Sequence, residues 1–155
     1  MRKVIGGQDA EAPKRTEPEW LDIARIAAVE LSSEDPAFTI ESAFRNESPG
    51  WRAGVPGEQR IRLIFDEPRE VRRIRLRFIE HETERTQEFV LRSESNGASR
   101  ETLRQQWNFS PGGSTVEVED YTLDLHGVTA LELVIEPDIT VKRAIATLAE
   151  WRMAA

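Results

Sequence analysis

Residues 50 to 79 read GWRAGVPGEQRIRLIFDEPREVRRIRLRFI, and this stretch constrains the fold more than any other. Ile61, Leu63 and Phe65 fall on one face of an extended chain, with Arg60 and Arg62 on the other. After a short Asp66-Glu67-Pro68 connection the alternation resumes, with Ile74, Leu76 and Phe78 facing one way and Arg73, Arg75 and Arg77 the other. A period of two with apolar residues on one side marks half-buried strands of an antiparallel sheet. The same stretch carries no catalytic or cofactor signature, so function has to be argued from loops.

The rest of the chain supplies one core. With 155 residues and 39% apolar content there is material for a single hydrophobic core and not for two. A formal charge of -7 disfavours non-specific attraction to nucleic acid or anionic lipid. The absence of cysteine removes disulfides, thiolate nucleophiles and Cys-based zinc sites together. The first twenty residues have charges and prolines where a secretory signal needs an apolar run, and no run approaches the roughly 18 apolar residues of a membrane span. These features set the expectation of a cytoplasmic, soluble chain.

Residues 1 to 19 are rich in charge, Pro and Gly and read as a flexible tail ahead of one domain, 20 to 155. From Leu21 onward apolar residues alternate through Ala27, Val29 and Leu31 until Ser32-Ser33-Glu34-Asp35-Pro36 breaks the strand. A short helical turn is expected over Ile40 to Phe44. After the two strands described above comes the polar run Glu80 to Gln87, then a strand over Phe89 to Ser93 closed by Asn96-Gly97, a pair suited to positive φ. Leu103 to Phe109, Val116 to Val118, Tyr121 to Leu125, Leu131 to Ile135 and Thr147 to Met153 complete the set. About eight short strands with turn signals between them and almost no helix predict an all-β antiparallel jelly roll, sandwich or barrel.

The order of these pieces resembles the discoidin or coagulation-factor type C domain, a family within the galactose-binding-domain-like jelly rolls that include many bacterial carbohydrate-binding modules. The carriers are Ser32-Ser33-Glu34-Asp35-Pro36-Ala37 leading to Ile40-Glu41-Ser42-Ala43-Phe44, then Trp51-Arg52, the strand pair with its Pro-containing connection, Phe89-Val90-Leu91-Arg92-Ser93 with Asn96-Gly97, and the ending Ala146-Thr147-Leu148-Ala149-Glu150-Trp151. The resemblance spans about Ala27 to Arg152 and implies an eight-stranded sandwich whose ligands bind on loops at one end. Those loops are 33 to 38, 45 to 57 and 80 to 87. Where many members have an Asp-Gly-Asp type loop associated with calcium, this chain has Arg45-Asn46-Glu47, and a cation at the place of an anionic ligand disfavours calcium.

A rigid sandwich presents adjustable side chains at its ends. Sugar recognition needs an apolar platform for the C–H face of the ring and planar polar groups for its hydroxyls. Arg52, His81, Glu82 and Arg85 are candidates for the polar groups, Phe38 or Trp51 for the platform, and Glu34 and Asp35 for the first loop. Each has a structural alternative. Trp51, beside Gly50 and Gly54, packs readily as a buried loop anchor, Arg52 can pair with Glu34 or Asp35, and His81, Glu82 and Arg85 lie in a solvated charge run. The stripe of Arg73, Arg75 and Arg77 either pairs across strands with residues such as Asp124 or Glu132 or forms a polyanion site.

No enzymatic signature is present. Ile5-Gly6-Gly7 lacks the Lys and helix of a phosphate loop, and with two histidines, His81 and His126, a His-based metal site would need carboxylates for most of its ligands. His81, Glu82 and Glu84 have no reason to converge on one substrate. The Glu80 to Gln87 loop has no apolar tip to insert into a bilayer. The expected function is a non-catalytic ligand-binding module for a glycan, without cofactor, metal, nucleic acid or membrane; the alternative is an intracellular protein-interaction or structural domain on the same fold.

Overall fold

The computed structural model describes residues 17–155. The tail assigned to residues 1 to 19 lies, for its first sixteen positions, outside the described residues.

Two short helices, α1 (Ile23–Ile26) and α2 (Ile40–Phe44), accompany the strands β1 (Ala27–Leu31), β2 (Trp51–Arg52), β3 (Gln59–Ile79), β4 (Arg85–Ser95), β5 (Ala98–Phe109), β6 (Val116–Glu136), β7 (Thr147–Leu148) and β8 (Glu150–Ala154). All pairings are antiparallel. The main sheet runs β1-β3-β6-β4-β5 with β8 joined to β3, and β2 pairs with β7 separately. The fold class is the all-β sandwich that the alternation predicts.

The strands are divided differently from the sequence expectation. Ile61 to Phe65 and Ile74 to Phe78 belong to one strand, β3, and the pieces from Val116 to Ile135 fuse into β6. The two long strands pair from Gln59↔Ile135 to Ile79↔Val116, and their ladder shifts register between Ile64 and Arg73. Pro68 sits in that gap, where its missing N–H removes no ladder bond, so the Asp-Glu-Pro segment bends the strand without ending it. Glu119-Asp120 does not interrupt β6 either, because both residues keep the pleat and Asp120 faces Arg75 across it. The first strand starts only at Ala27. Residues 23 to 26 make a helical turn that buries Ile23.

The bend divides the sheet into two layers. One half of β3 pairs with β1 and the C-terminal half of β6, which also carries β4. The other half pairs with β8 and the N-terminal half of β6. Phe78 of the second layer stacks on Phe89 of the first at 5.4 Å between ring centroids, and both are fully buried. Trp151 of β8 packs edge-on to Phe44 of α2 at 6.1 Å, which seats that helix against the layer. Every alternating apolar residue of β3 named above is buried in this core. The β4–β5 hairpin turns at Asn96 (φ 54) and Gly97 (φ 77), the left-handed pair its two-residue loop requires.

The arginine stripe is neutralised within the protein. Arg73 and Arg75 both donate to Asp120, their cross-strand neighbour on β6, at 2.9 Å, and Arg77 donates to Glu150 of β8 at 3.2 Å. The partners suggested from sequence serve other arginines, Asp124 facing Arg72 and Glu132 facing Arg60, because register places them one or more rungs away from the stripe. Glu17 accepts from Arg75, and the Trp20 ring lies 5.0 Å from the guanidinium carbons of both Arg75 and Arg152. Glu17, within the expected tail, is therefore fixed to the sheet.

Candidate functional site

The loop end of the sandwich is assembled by hydrogen bonds between segments distant in sequence. The backbone of Arg52 is clamped by the first loop, its N–H donating to the Phe38 carbonyl at 3.2 Å and its carbonyl accepting from Asp35 at 2.9 Å. Ser33 donates to Gln59 at 2.7 Å and accepts from the Gly54 N–H at 2.9 Å. Gly50 has φ +81, and a Cβ there would lie 2.9 Å from the Leu148 carbonyl oxygen, so the Trp51 loop can approach β7 only with glycine at that position.

Two adjoining depressions open at this end. The larger, about 490 Å³, is lined by Arg52, His81, Glu82 and Arg85, all expected from sequence, and by Asp138, Val141, Arg143 and Thr147, which were not. The smaller, about 190 Å³, is lined by Phe38, Trp51 and Arg52, and the two share Arg52, Ile79 and Thr147. The Arg52 guanidinium leans over the Phe38 ring, 5.5 Å from its centroid. Arg52, His81 and Glu82 are exposed, whereas Phe38 is half-buried.

Four sequence candidates take structural roles. Trp51 is 1% exposed and donates its indole N–H to the Ser33 carbonyl at 3.3 Å, so it anchors the loop from below and presents no ring face to a ligand. Glu34 accepts the Ile40 N–H at 2.7 Å at the start of α2, and Asp35 accepts the Ala37 N–H at 3.0 Å within its own turn. Neither carboxylate lines the two depressions or pairs with Arg52. Arg85 is 3% exposed. It donates to Glu80 at 2.9 Å, to Gln87 at 3.1 Å and to the Pro137 carbonyl at 2.7 Å, and stacks on Phe109 at 4.7 Å. Its strand register explains this placement: Gln87 and Arg85 lie two and four residues before Phe89 on the inward face of β4.

Behind Arg85 the polar network continues into the core. Gln87 donates to Glu117 at 3.1 Å, and Tyr121 donates to Glu119 at 2.6 Å. Burial, reinforced by the neighbouring Glu119, pushes the Glu117 carboxyl up to about 9, so it is neutral at physiological pH. Burial also pushes Glu80 up, but the hydrogen bond from Arg85 and the Glu82 and Thr83 N–H groups outweigh it and hold that carboxyl below its ordinary range. Glu80 is thereby committed to shaping the 80–85 loop rather than to a ligand.

The wall that sequence reasoning missed is the β6–β7 connection, residues 137 to 146. Ile139 donates to the Thr86 carbonyl and Ala53 to the Ala146 carbonyl, each within 2.9 Å, which ties this connection to both neighbouring loops. Strand parity carried the signal: β6 ends opposite the start of β4, at Glu136↔Glu88, so the loop leaving β6 must share an end with the loop entering β4. At the Arg45-Asn46-Glu47 segment the donor set does not suit a hard cation, because the Asn46 amide oxygen accepts from Arg77 and Glu47 is the one carboxylate there. Among the described residues no three His, Asp or Glu converge as a metal site, and no helix is long and apolar enough to cross a membrane.

No protein-family model and no curated protein matches this chain. Solved structures do match it. The chain is similar to the family 32 carbohydrate-binding module of Clostridium perfringens NanJ in complex with galactose, with a TM-score of 0.63 and 12% identity over 86% of this chain and 96% of that one. It is similar to the family 32 module of AlyQ in complex with 4,5-unsaturated mannuronic acid, with a TM-score of 0.60 and 17% identity over 83% of this chain and 94% of that one. It is also similar to reduced XRCC1 bound to the catalytic domain of DNA polymerase beta, at TM-score 0.59 and 14% identity over 90% and 99%. The fold is thus the galactose-binding-like β-sandwich, and the family resemblance read from sequence is consistent with it.

Proposed function

We propose that the protein is a non-catalytic carbohydrate-binding module whose ligand sits in the cleft between the 80–85 loop, Arg52 and the β6–β7 connection. The observation that carries this reading is the convergence of Arg52, His81 and Glu82, all exposed and planar, on one depression floored by apolar side chains. Planar donors and acceptors over an apolar floor meet the two demands of a sugar, its hydroxyls and its C–H face. Similar structures hold galactose and an unsaturated uronate, which supports the same class of ligand here. A glycan array probed with the purified protein tests the proposal. Saturable binding that disappears in a folded Arg52→Ala variant is expected, and a blank array rejects it.

A protein partner is the second reading. The exposed large apolar residues Val55, Ile139 and Val141 rise from the loops of this same end, with Val116 beside Glu80. Apolar tips around a polar depression also fit a protein surface, and XRCC1 in its polymerase complex has the same fold. Co-purification of a stoichiometric protein lost on Val141→Asp, with a blank glycan array, favours this reading over the first.

A further inference from the structure

Arg143 stands on the wall of the cleft opposite the 80–85 loop. It is exposed, and among the described residues no carboxylate lies within ion-pair distance of it or of Arg52. Many arginines pair with carboxylates, as at Arg62, Arg73, Arg75, Arg77 and Arg104; of those that do not, Arg52 and Arg143 line one depression together. Acidic residues outnumber basic ones, 28 to 21, so two unmatched guanidinium groups facing one depression are not forced by composition.

The acceptors of the cleft are largely occupied. Glu80 holds Arg85 and two backbone N–H groups. Asp138 is 8% exposed and accepts the Thr140 N–H at 3.0 Å. Glu82 is the one exposed carboxylate left on the lining. The apolar part of the lining is aliphatic, Ile79, Val141 and Ile145, without an open aromatic face. Orientation of a bound sugar therefore falls to charged donors, and a guanidinium fork fits a carboxylate in two parallel hydrogen bonds.

Resting on the carbohydrate reading above, we infer that the preferred ligand is a saccharide bearing a carboxylate, a uronate, gripped between Arg52 and Arg143. The test is calorimetric titration of the full chain with three probes: an oligouronate, a sulfated oligosaccharide and a neutral galacto-oligosaccharide, each against the wild type and Arg143→Gln. The oligouronate is expected to bind about tenfold or more tightly than the neutral probe. That advantage should shrink as salt rises from about 0.05 to 0.5 M, and should vanish in Arg143→Gln, which keeps the wild-type melting temperature. Equal affinity for the neutral probe, preference for the sulfated one, or an Arg143→Gln protein that still selects the uronate overturns the inference and leaves the carbohydrate reading standing. Failure of all three probes, together with a blank glycan array, overturns both.

Discussion

Arg85 Nε donates to a carboxylate oxygen of Glu80 at 2.9 Å from inside the wall of the cleft, while Arg52 stands on its rim over Phe38. The two arginines line the same depression and play opposite parts. One holds the loop in shape and the other remains available.

This contrast gives the first prediction. Arg85→Ala strands the partly buried Glu80 and the Pro137 carbonyl, and breaking such a pair from one side costs about 3–5 kcal/mol. Arg52→Ala should leave thermal unfolding unchanged and weaken ligand binding by roughly 1.5–3 kcal/mol, the range for a hydrogen bond to a charged group. Melting curves and titrations on both variants check it. An Arg85→Ala protein as stable as the wild type would show that the buried network is dispensable.

Trp51→Ala removes a fully buried ring and its bond to Ser33. A loss of about 3–5 kcal/mol in denaturant unfolding is expected from the lost burial and the cavity left behind. An unchanged midpoint contradicts the anchor role.

Glu117 makes stability depend on pH in the direction opposite to the ion-paired carboxyls. Its folded value, about 9, lies above the ordinary 4.5, so the folded state binds a proton that the unfolded state releases in between. Its contribution is complete below about pH 4.5 and is lost as pH rises toward about 9. Asp120 and Glu80, held low by their arginines, contribute above the ordinary carboxylate range and lose that contribution as pH falls. Glu117→Gln keeps an acceptor for Gln87 and removes the titration. It should therefore melt above the wild type at pH 8 and converge with it near pH 4.5. Parallel melting profiles across that range speak against a neutral Glu117.

Gly50→Ala meets backbone at 2.9 and 3.0 Å and a left-handed φ, whereas Gly57→Ala meets nothing within 4 Å at φ +94. Both incur the conformational cost of about 1–2 kcal/mol, and Gly50→Ala should lose more because Leu148 and Ala149 must shift. Equal unfolding midpoints for the two variants would refute the close approach.

Much of the fold was legible because burial on one face of a strand writes a period of two into the sequence. Ile61 to Phe65 and Ile74 to Phe78 are legible on that basis, and Asn96-Gly97 marks its hairpin by backbone preference alone. The same period, carried upstream from Phe89, puts Arg85 and Gln87 indoors, against the exposure their polarity suggests, because their partners come from other strands and loops. Glu117 and Glu119 share the inward face of β6 with Leu123 and Leu125 against the same expectation. Pro68 reads locally as a stop, but whether it ends a strand depends on whether its absent N–H has a partner, and that is a property of the neighbouring strand. The Arg143 wall was invisible to local pattern because it is defined by which loops share an end.

The unbroken course of β3 and β6 through both layers governs how the chain reaches this structure. A sandwich of separate strands can lose one layer and keep the other; here each layer is made from the same two strands, so neither can melt alone. Their ladder joins Ile79 to Val116 at one extreme and Gln59 to Ile135 at the other. The interval between Ile79 and Val116 is filled by the β4–β5 hairpin, whose tight turn closes cheaply and draws those two residues together. Zipping is thus expected to start beside the cleft and run away from it, leaving the β1 edge to arrive last. Such distant pairings place refolding in the millisecond to second range, and hydrogen exchange across β3 and β6 should report a single opening free energy equal to that of global unfolding.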